Sequence, residues 1–122
     1  MRINVISGNA ADVANVIAEE KIITDAQSAI DLMMTVKYKT GIKNIAISKN
    51  LITDKFFILS NGIAGEILQK FINYGFKIAI YGDYSKYTSK PLKDFIYESN
   101  NGKDVFFTDN LENAIRKLTL RR

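Results

Sequence analysis

Phe76–Asp83 reads FKIAIYGD, and this stretch decides the fold class. It is the most strand-like run in the chain, rich in β-branched and aromatic residues and closed by a Gly-Asp turn. The segment before it, Asn61–Gly75, predicts a helix that stops at a glycine, because its apolar residues recur at helical spacing: Ile63, Ile67, Leu68, Phe71 and Ile72. A helix that leads directly into a short buried strand is typical of a parallel α/β sheet.

The same alternation of strand and helix continues on both sides of this stretch. Lys43–Ser48 and Val105–Thr108 are short apolar runs that predict two further strands. Three more helix starts are predicted from capping residues: Thr24 with Gln27 as a capping box, Ser89 with Pro91, and Asp109 with Glu112. In the first of these helices, Met33 and Met34 are expected in the core.

The N-terminal residues predict an antiparallel hairpin, since Arg2–Ser7 and Asp12–Ala18 are extended apolar segments with the turn signal Gly8-Asn9 between them. The order of elements is then ββαβαβαβα. Each helix carries one apolar stripe, which predicts an α/β two-layer sandwich with a mostly parallel mixed sheet and helices mainly on one face. With one Pro and no repeat, residues 1–122 are predicted to form a single domain.

The composition excludes several classes of chemistry. The chain has no Cys and no His, which excludes disulfides, thiol nucleophiles, imidazole metal ligands and histidine-based triads. No cofactor or metal is predicted. No apolar run is long enough for a membrane span and the N-terminus does not resemble a signal peptide, so we expect a cytoplasmic protein without membrane contact. The net charge of +4 is compatible with an acidic partner.

The first candidate site is the helix start within LSNGIAGE, Leu59–Glu66. Ser60 or Asn61 can accept a bond from the first helical N–H groups, and the helix dipole favours an anion there. A simpler interpretation is a helix cap in which Gly62 and Gly65 permit close packing on the sheet. Both interpretations stay open from the sequence.

The second candidate site is the loop after the central strand, because ligands collect beyond the carboxyl ends of parallel strands. It offers Asp83, Tyr84, Ser85 and Lys86 as binding residues. The mixture of tyrosines and lysines from Tyr84 to Lys93 also permits nucleic-acid binding, which we rank third. A carboxylate pair of Asp83 and Asp109 would permit small-molecule or nucleotide binding, or weak hydrolysis, as the alternative function.

Two strings, GIAGEILQKF (Gly62–Phe71) and GDYSKYTSKPLKDFIYESNNGK (Gly82–Lys103), resemble the bacterial DUF4180 family, a domain family of unknown function. The order of elements is also similar to that of STAS domains, as in anti-sigma-factor antagonists. That second resemblance implies a phosphoacceptor serine just before Gly62, at a corner where partner kinases dock. Asn61 occupies this position here, so a phosphoacceptor would have to be Ser60.

These observations lead to one functional hypothesis. We expect a small, non-enzymatic, STAS-like regulatory or protein-interaction domain, with its surface centred on Ser60, Asn61 and Gly62 and on the Asp83–Lys90 loop. A protein partner is the expected ligand, with an anion or nucleotide as the alternative. A homodimer is compatible with the sequence, whereas nucleic acid is not favoured.

Overall fold

The computed structural model describes residues 1–120 and has the order ββαβαβαβα that the sequence predicts. Three short 3₁₀ turns lie between the third strand and the second helix: Lys49–Leu51, Asp54–Phe57 and Leu59–Asn61. The strands and helices are β1 Arg2–Ser7, β2 Asp12–Ile17, α1 Ala26–Thr40, β3 Asn44–Ser48, α2 Ile63–Asn73, β4 Lys77–Tyr81, α3 Lys90–Asn100, β5 Val105–Thr108 and α4 Leu111–Leu118. None of the helices within residues 1–120 has the length and apolarity that a membrane crossing needs.

The strands of residues 1–120 form one sheet in the order β1-β2-β3-β4-β5. β1 pairs antiparallel with β2, and each later pair is parallel. All three crossovers step toward β5, and crossovers that step in one direction with the usual right hand place their helices on one face. Accordingly, α1, α2 and α3 share one apolar core with that face of the sheet. The prediction of a mostly parallel sheet with helices mainly on one face is confirmed.

α4 packs against the opposite face and adds a short layer there. Its buried residues Ala114 and Leu118 join a second apolar cluster with residues of the strands: Val13, Ala46, Ala79 and Phe106. The two alanines are paired across β3 and β4, and their small side chains leave room for the helix. After α4, Thr119 meets the hairpin turn so closely that a Cβ on Gly8 would collide with its side chain.

The capping box of α1 lies one residue later than the sequence predicted. The Asp25 carboxylate accepts a hydrogen bond from the Ser28 N–H at 2.8 Å, and the Ser28 hydroxyl accepts one from the Asp25 N–H at 3.0 Å. The predicted pair of Thr24 and Gln27 is wrong, because Ser28 supplies the reciprocal oxygen. The Ser28 N–H, and after it the Ser28 hydroxyl, hold the pKa of Asp25 below its ordinary value.

Two further local predictions also need correction. Asn110, not Asp109, caps α4, since its side chain accepts a hydrogen bond from the Asn113 N–H at 2.8 Å. Met33 is fully buried as expected, whereas Met34 is 37% exposed. Consecutive helix residues point about 100° apart, and the buried face of α1 takes Leu32 and Met33, which leaves Met34 at its edge.

Candidate functional site

The corner before α2 is held by the side chain of Asn61. Its oxygen accepts a hydrogen bond from the Ile63 N–H at 2.9 Å, and its amide group donates to the Lys55 carbonyl at 3.0 Å. The two bonds join the start of α2 to the 3₁₀ turn Asp54–Phe57. Of the two residues predicted to bond the first helical N–H groups, Asn61 does so, and its amide is engaged within the corner.

Gly62 and Gly65 do not serve the close packing that the sequence suggested, and that interpretation is wrong. A Cβ built on either glycine would meet no other atom within 4 Å. Gly62 is required for a different reason, because its φ of 77° lies in the left-handed region that other residues rarely adopt. Gly65 is exposed at the start of α2, and no contact in the structure requires a glycine there.

Ser60 is exposed and borders a groove of about 570 Å³ between the 3₁₀ turns and the start of α3. Ile58 is an exposed apolar residue of this groove, with 55% of its surface accessible. The other residues of the lining are Phe57, Leu59, Ser89 and Pro91. The groove therefore combines an apolar wall with the hydroxyls of Ser60 and Ser89.

The Asp83 loop follows β4 and is closed by a local hydrogen bond. The Asp83 carboxylate accepts a bond from the Ser85 N–H at 2.9 Å. The N–H and hydroxyl of Ser85 lower the pKa of Asp83 below its ordinary value, and the positive charges of Lys49 and Lys86 lower it further. Because the Asp83 carboxylate is held ionised, it can accept hydrogen bonds or pair with a cation, and it is poorly suited to act as a general acid.

Tyr84 supports the loop from inside rather than presenting its ring to a ligand. Its hydroxyl donates to the Ile80 carbonyl at 2.7 Å, and its ring contacts those of Phe57 and Phe107. Burial raises the pKa of the Tyr84 hydroxyl well above its ordinary value. The sequence could not distinguish this buried tyrosine from an exposed one.

Tyr87 is the second aromatic residue of the loop, and two lysines flank it. Its ring stacks on Phe57 at 5.1 Å, while the Lys49 and Lys86 Nζ atoms lie 5.2 and 5.4 Å from its centroid. The aliphatic part of Lys49 packs on Gly82, where a Cβ would lie 2.9 Å from the lysine Cγ and Cδ. Lys49, Lys86 and Tyr87 thus form a charged aromatic patch near Asp83.

Asp109, the second carboxylate of the predicted pair, is bonded within the first turn of α4. Its oxygen accepts a hydrogen bond from the Asn113 side chain at 2.7 Å. Asp83 is bonded within its own loop, so each carboxylate has a separate local partner. Among residues 1–120, no group of three or more acidic side chains is arranged to hold a metal ion.

The groove and the patch are linked through Phe57, which lines the first and stacks under Tyr87 in the second. Phe57, which was not predicted as a site residue, thus joins the Ser60 corner to the Lys86 loop. Ile58 and Pro91 were also missed as surface residues of the site. The only local signal in the sequence was the apolar run of Phe56, Phe57 and Ile58, which does not indicate which of the three is exposed.

A family model described as "Domain of unknown function (DUF4180)" matches residues 8–118. The resemblance drawn from Gly62–Phe71 and Gly82–Lys103 is confirmed by this match. No curated protein and no solved structure matches the chain, and the likeness to STAS domains stays a prediction.

Proposed function

The chain belongs to the DUF4180 family, and we propose that it is a small, non-enzymatic regulatory domain that binds a protein partner in the bacterial cytoplasm. Its binding surface comprises the groove at Ile58 and Ser60 and the patch of Lys49, Lys86 and Tyr87. We call these five residues the rim surface. The rim surface lies where the carboxyl ends of β3 and β4 meet the start of α3.

The observation that carries the proposal is the exposure of Ile58 in a groove of about 570 Å³. A single exposed apolar side chain is ordinary, but this one lies with Leu59 and Pro91 in one concave lining. A partner's apolar side chain in this groove would remove Ile58 from water. Burial of that kind, surrounded by polar contacts, is how most binding energy is supplied at protein interfaces.

The charges around the groove indicate the chemistry of the partner. Lys49 and Lys86 supply positive charge beside Tyr87, and the chain as a whole carries a net charge of +4. An acidic segment of the partner would face these lysines, while an apolar residue next to it enters the groove. Such complementarity raises association rates and excludes basic partners.

Matched substitutions test this surface. Ile58→Asp and Lys86→Glu should each weaken the binding of a purified partner by about tenfold or more, since central apolar anchors and opposed charges are both affected. Tyr38→Asp is the control, because Tyr38 is 90% exposed on the last part of α1, at the opposite end of the sheet. Partners are identified by affinity capture from cells, and their affinities are then measured by calorimetry. Equal affinity for all three variants would reject the rim surface.

The second candidate is a binder of nucleotides or other small anions. It is favoured by the arrangement of Tyr87 between Lys49 and Lys86, which offers an aromatic face and two cations. A ligand at about 100 times its dissociation constant should add about 2.7 kcal/mol to the free energy of unfolding. Thermal shifts with nucleotides and inorganic anions measure this effect. An upward shift that Lys86→Glu abolishes would favour this candidate over the protein partner.

A weak hydrolase using Asp83 and Asp109 would need the two carboxylates to act on one substrate. The double variant Asp83→Asn with Asp109→Asn tests this version of the second candidate. A hydrolase should lose turnover in the double variant, whereas a domain that only binds the ligand should bind it as before.

Nucleic-acid binding, the third hypothesis, predicts a steep loss of affinity with salt. The Tyr84 hydroxyl is bonded to the Ile80 carbonyl, so Tyr87, between two lysines, is the ring of the loop that this hypothesis would use for base stacking.

A further inference from the structure

The outer edge of β1 presents a row of backbone donors and acceptors. The Gly8 N–H donates to the Ala11 carbonyl at 3.0 Å, a bond that continues the pairing of Ser7 with Asp12. Hydrogen-bonded and non-hydrogen-bonded pairs alternate along an antiparallel ladder. The groups of Ile6 and Asn4 therefore point to β2, and those of Ile3, Val5 and Ser7 point away from the sheet. Within residues 1–120, β2 is the only strand that pairs with β1.

In the described part of the chain, this edge lacks the devices that normally protect a sheet edge. Such devices are prolines, bulges, central charges and covering segments. The sequence RINVIS contains no proline, pairs with β2 in an unbroken register, and carries its single charge on the terminal Arg2. Val5, near the middle of the strand, is 53% exposed. β1 is consequently a regular template for another strand.

The opposite edge of the sheet is closed by a side chain. The Asn100 amide donates to the Phe107 carbonyl at 3.1 Å, and the Asn100 oxygen accepts from the Phe107 N–H at 2.7 Å. One side chain thereby bonds both outward backbone groups of Phe107, as a neighbouring strand would. All four residues of β5 are buried. An added strand has access to the β1 edge but not to the middle of β5.

We propose that β1 pairs antiparallel with β1 of a second copy of this chain, about a twofold axis through Val5. In this register Val5 bonds Val5 of the partner subunit, and Ile3 bonds Ser7 of the partner subunit in both directions. The register uses every outward group of β1 and keeps the faces of both sheets aligned, because residues of the same parity are paired. It also packs the exposed Val5 side chains against each other.

Charge and space both permit this pairing. The two Arg2 residues would stand at opposite ends of the new strand pair, about 20 Å apart, which is beyond the screening length at ordinary salt. β2 and its copy would lie about 14 Å apart, three strand spacings. Packed helices need 8–10 Å between their axes, so α1, which follows β2, would not collide with its copy.

The second copy is favoured over an unlimited assembly because the sheet formed by residues 1–120 has one open edge. A twofold pair uses that edge in both copies, and the outer strands of the joined sheet are then the two β5 strands. Their Phe107 groups are already bonded to Asn100. Closed pairing of this kind ends at the dimer, whereas a chain with two open edges would continue into filaments.

Sedimentation of the full chain at increasing concentration tests the proposal. The mass should rise from 13.8 kDa toward twice that value and stop there. Val5→Pro removes the outward N–H on the axis without touching the β1–β2 ladder, and an edge strand tolerates proline at such a position. We expect the association constant of Val5→Pro to fall by about tenfold or more, since two hydrogen bonds are lost.

Val5→Thr is the matched control, because it keeps the N–H and a β-branched side chain, and it should dimerise nearly as the original chain does. If Val5→Pro does not fold, Val5→Lys replaces it, since two lysines would then face each other across the axis. A mass that stays at 13.8 kDa at every concentration overturns the proposal. So does a dimer that persists in Val5→Pro and Val5→Lys, or an assembly larger than a dimer.

Discussion

The two edge strands of the sheet differ in whether their outward backbone groups have a hydrogen-bond partner. β5 is buried and its outward groups at Phe107 are bonded by Asn100, whereas β1 is mostly exposed and its outward groups have no such partner within residues 1–120. Position in the chain accounts for part of the difference. β5 lies between α3 and α4, which contact it from the two faces, while β1 precedes the first helix. When one edge of a sheet is closed and the other is regular, pairing with another strand is directed to the regular edge, here β1.

The largest contrast between the edges should appear when their apolar side chains are truncated. Phe107→Ala should lower the free energy of unfolding by about 3–5 kcal/mol, because it leaves a cavity in the main core. Val5→Ala should change the stability of the monomer by less than about 0.5 kcal/mol, since Val5 is exposed. Urea denaturation of dilute protein measures both changes. Similar losses for both variants would show that β1 is not an open edge.

A second contrast concerns the closure of β5. Asn100→Ala leaves the Phe107 N–H and carbonyl without their partner and should cost about 1–3 kcal/mol. It should also open the second edge, so that assemblies larger than a dimer appear at high concentration. Asn101→Ala is the control, because Asn101 is exposed beside Asn100. Denaturation measures the loss of stability, and light scattering measures the size of the assemblies. If Asn100→Ala changed neither, Asn100 would not be the residue that closes the edge at β5.

A smaller effect is expected at the start of α4, which covers β5 from its other face. Asn110→Ala should cost about 1 kcal/mol, as loss of a helix cap usually does. Asp109→Ala should cost less, because Asp109 bonds the Asn113 side chain rather than a backbone N–H. The order of the two values, measured by thermal denaturation, checks which residue is the cap. The reverse order would restore Asp109 to that role.

The smallest expected effect is the dependence of stability on acidic pH, and it arises outside the two edge strands. Neither β1 nor β5 contains a carboxylate. The pKa of Asp25, at the start of α1, is lowered in the folded chain by its bonds to Ser28. Its stabilising contribution is therefore fully present above about pH 4 and is lost as the pH falls through the lowered pKa. Asp25→Asn should flatten the fall in stability below about pH 4, because it removes the titrating carboxylate, and an unchanged pH profile would contradict this assignment.

Much of the fold could be predicted because its signals are local. Apolar runs, glycine stops and capping residues stand within a few positions of the elements that they delimit, as at Ser89 and Gly75. The position of α4 could not be predicted, because an apolar stripe fits either face of a sheet. The role of Asn100 was equally hidden. The sequence Asn100-Asn101-Gly102 indicates a helix stop, and only the folded chain brings the Asn100 amide to Phe107.

The candidate site was predictable as a region but not as a surface. Ser60, Asp83 and Lys86 are exposed at the carboxyl edge, as the rule for parallel sheets implies. Tyr84 and Asn61 were placed beside them, yet Tyr84 is bonded inward and Asn61 holds the corner. Side-chain direction in a loop depends on backbone angles that the sequence does not specify. The groove around Ile58 depends on how two short turns pack against the start of α3, and it had no periodic signal.

The most direct test of the difference between the two edges is amide hydrogen exchange at single residues, at low and at high protein concentration. The account predicts slow exchange at Asn4, Ile6 and Phe107 at both concentrations, since their N–H groups are bonded within one chain. Ile3, Val5 and Ser7 should exchange fast in dilute protein and slowly in concentrated protein, where the second copy covers them. Fast exchange of Val5 at every concentration, or equal protection of Val5 and Ile6 in the monomer, would contradict it.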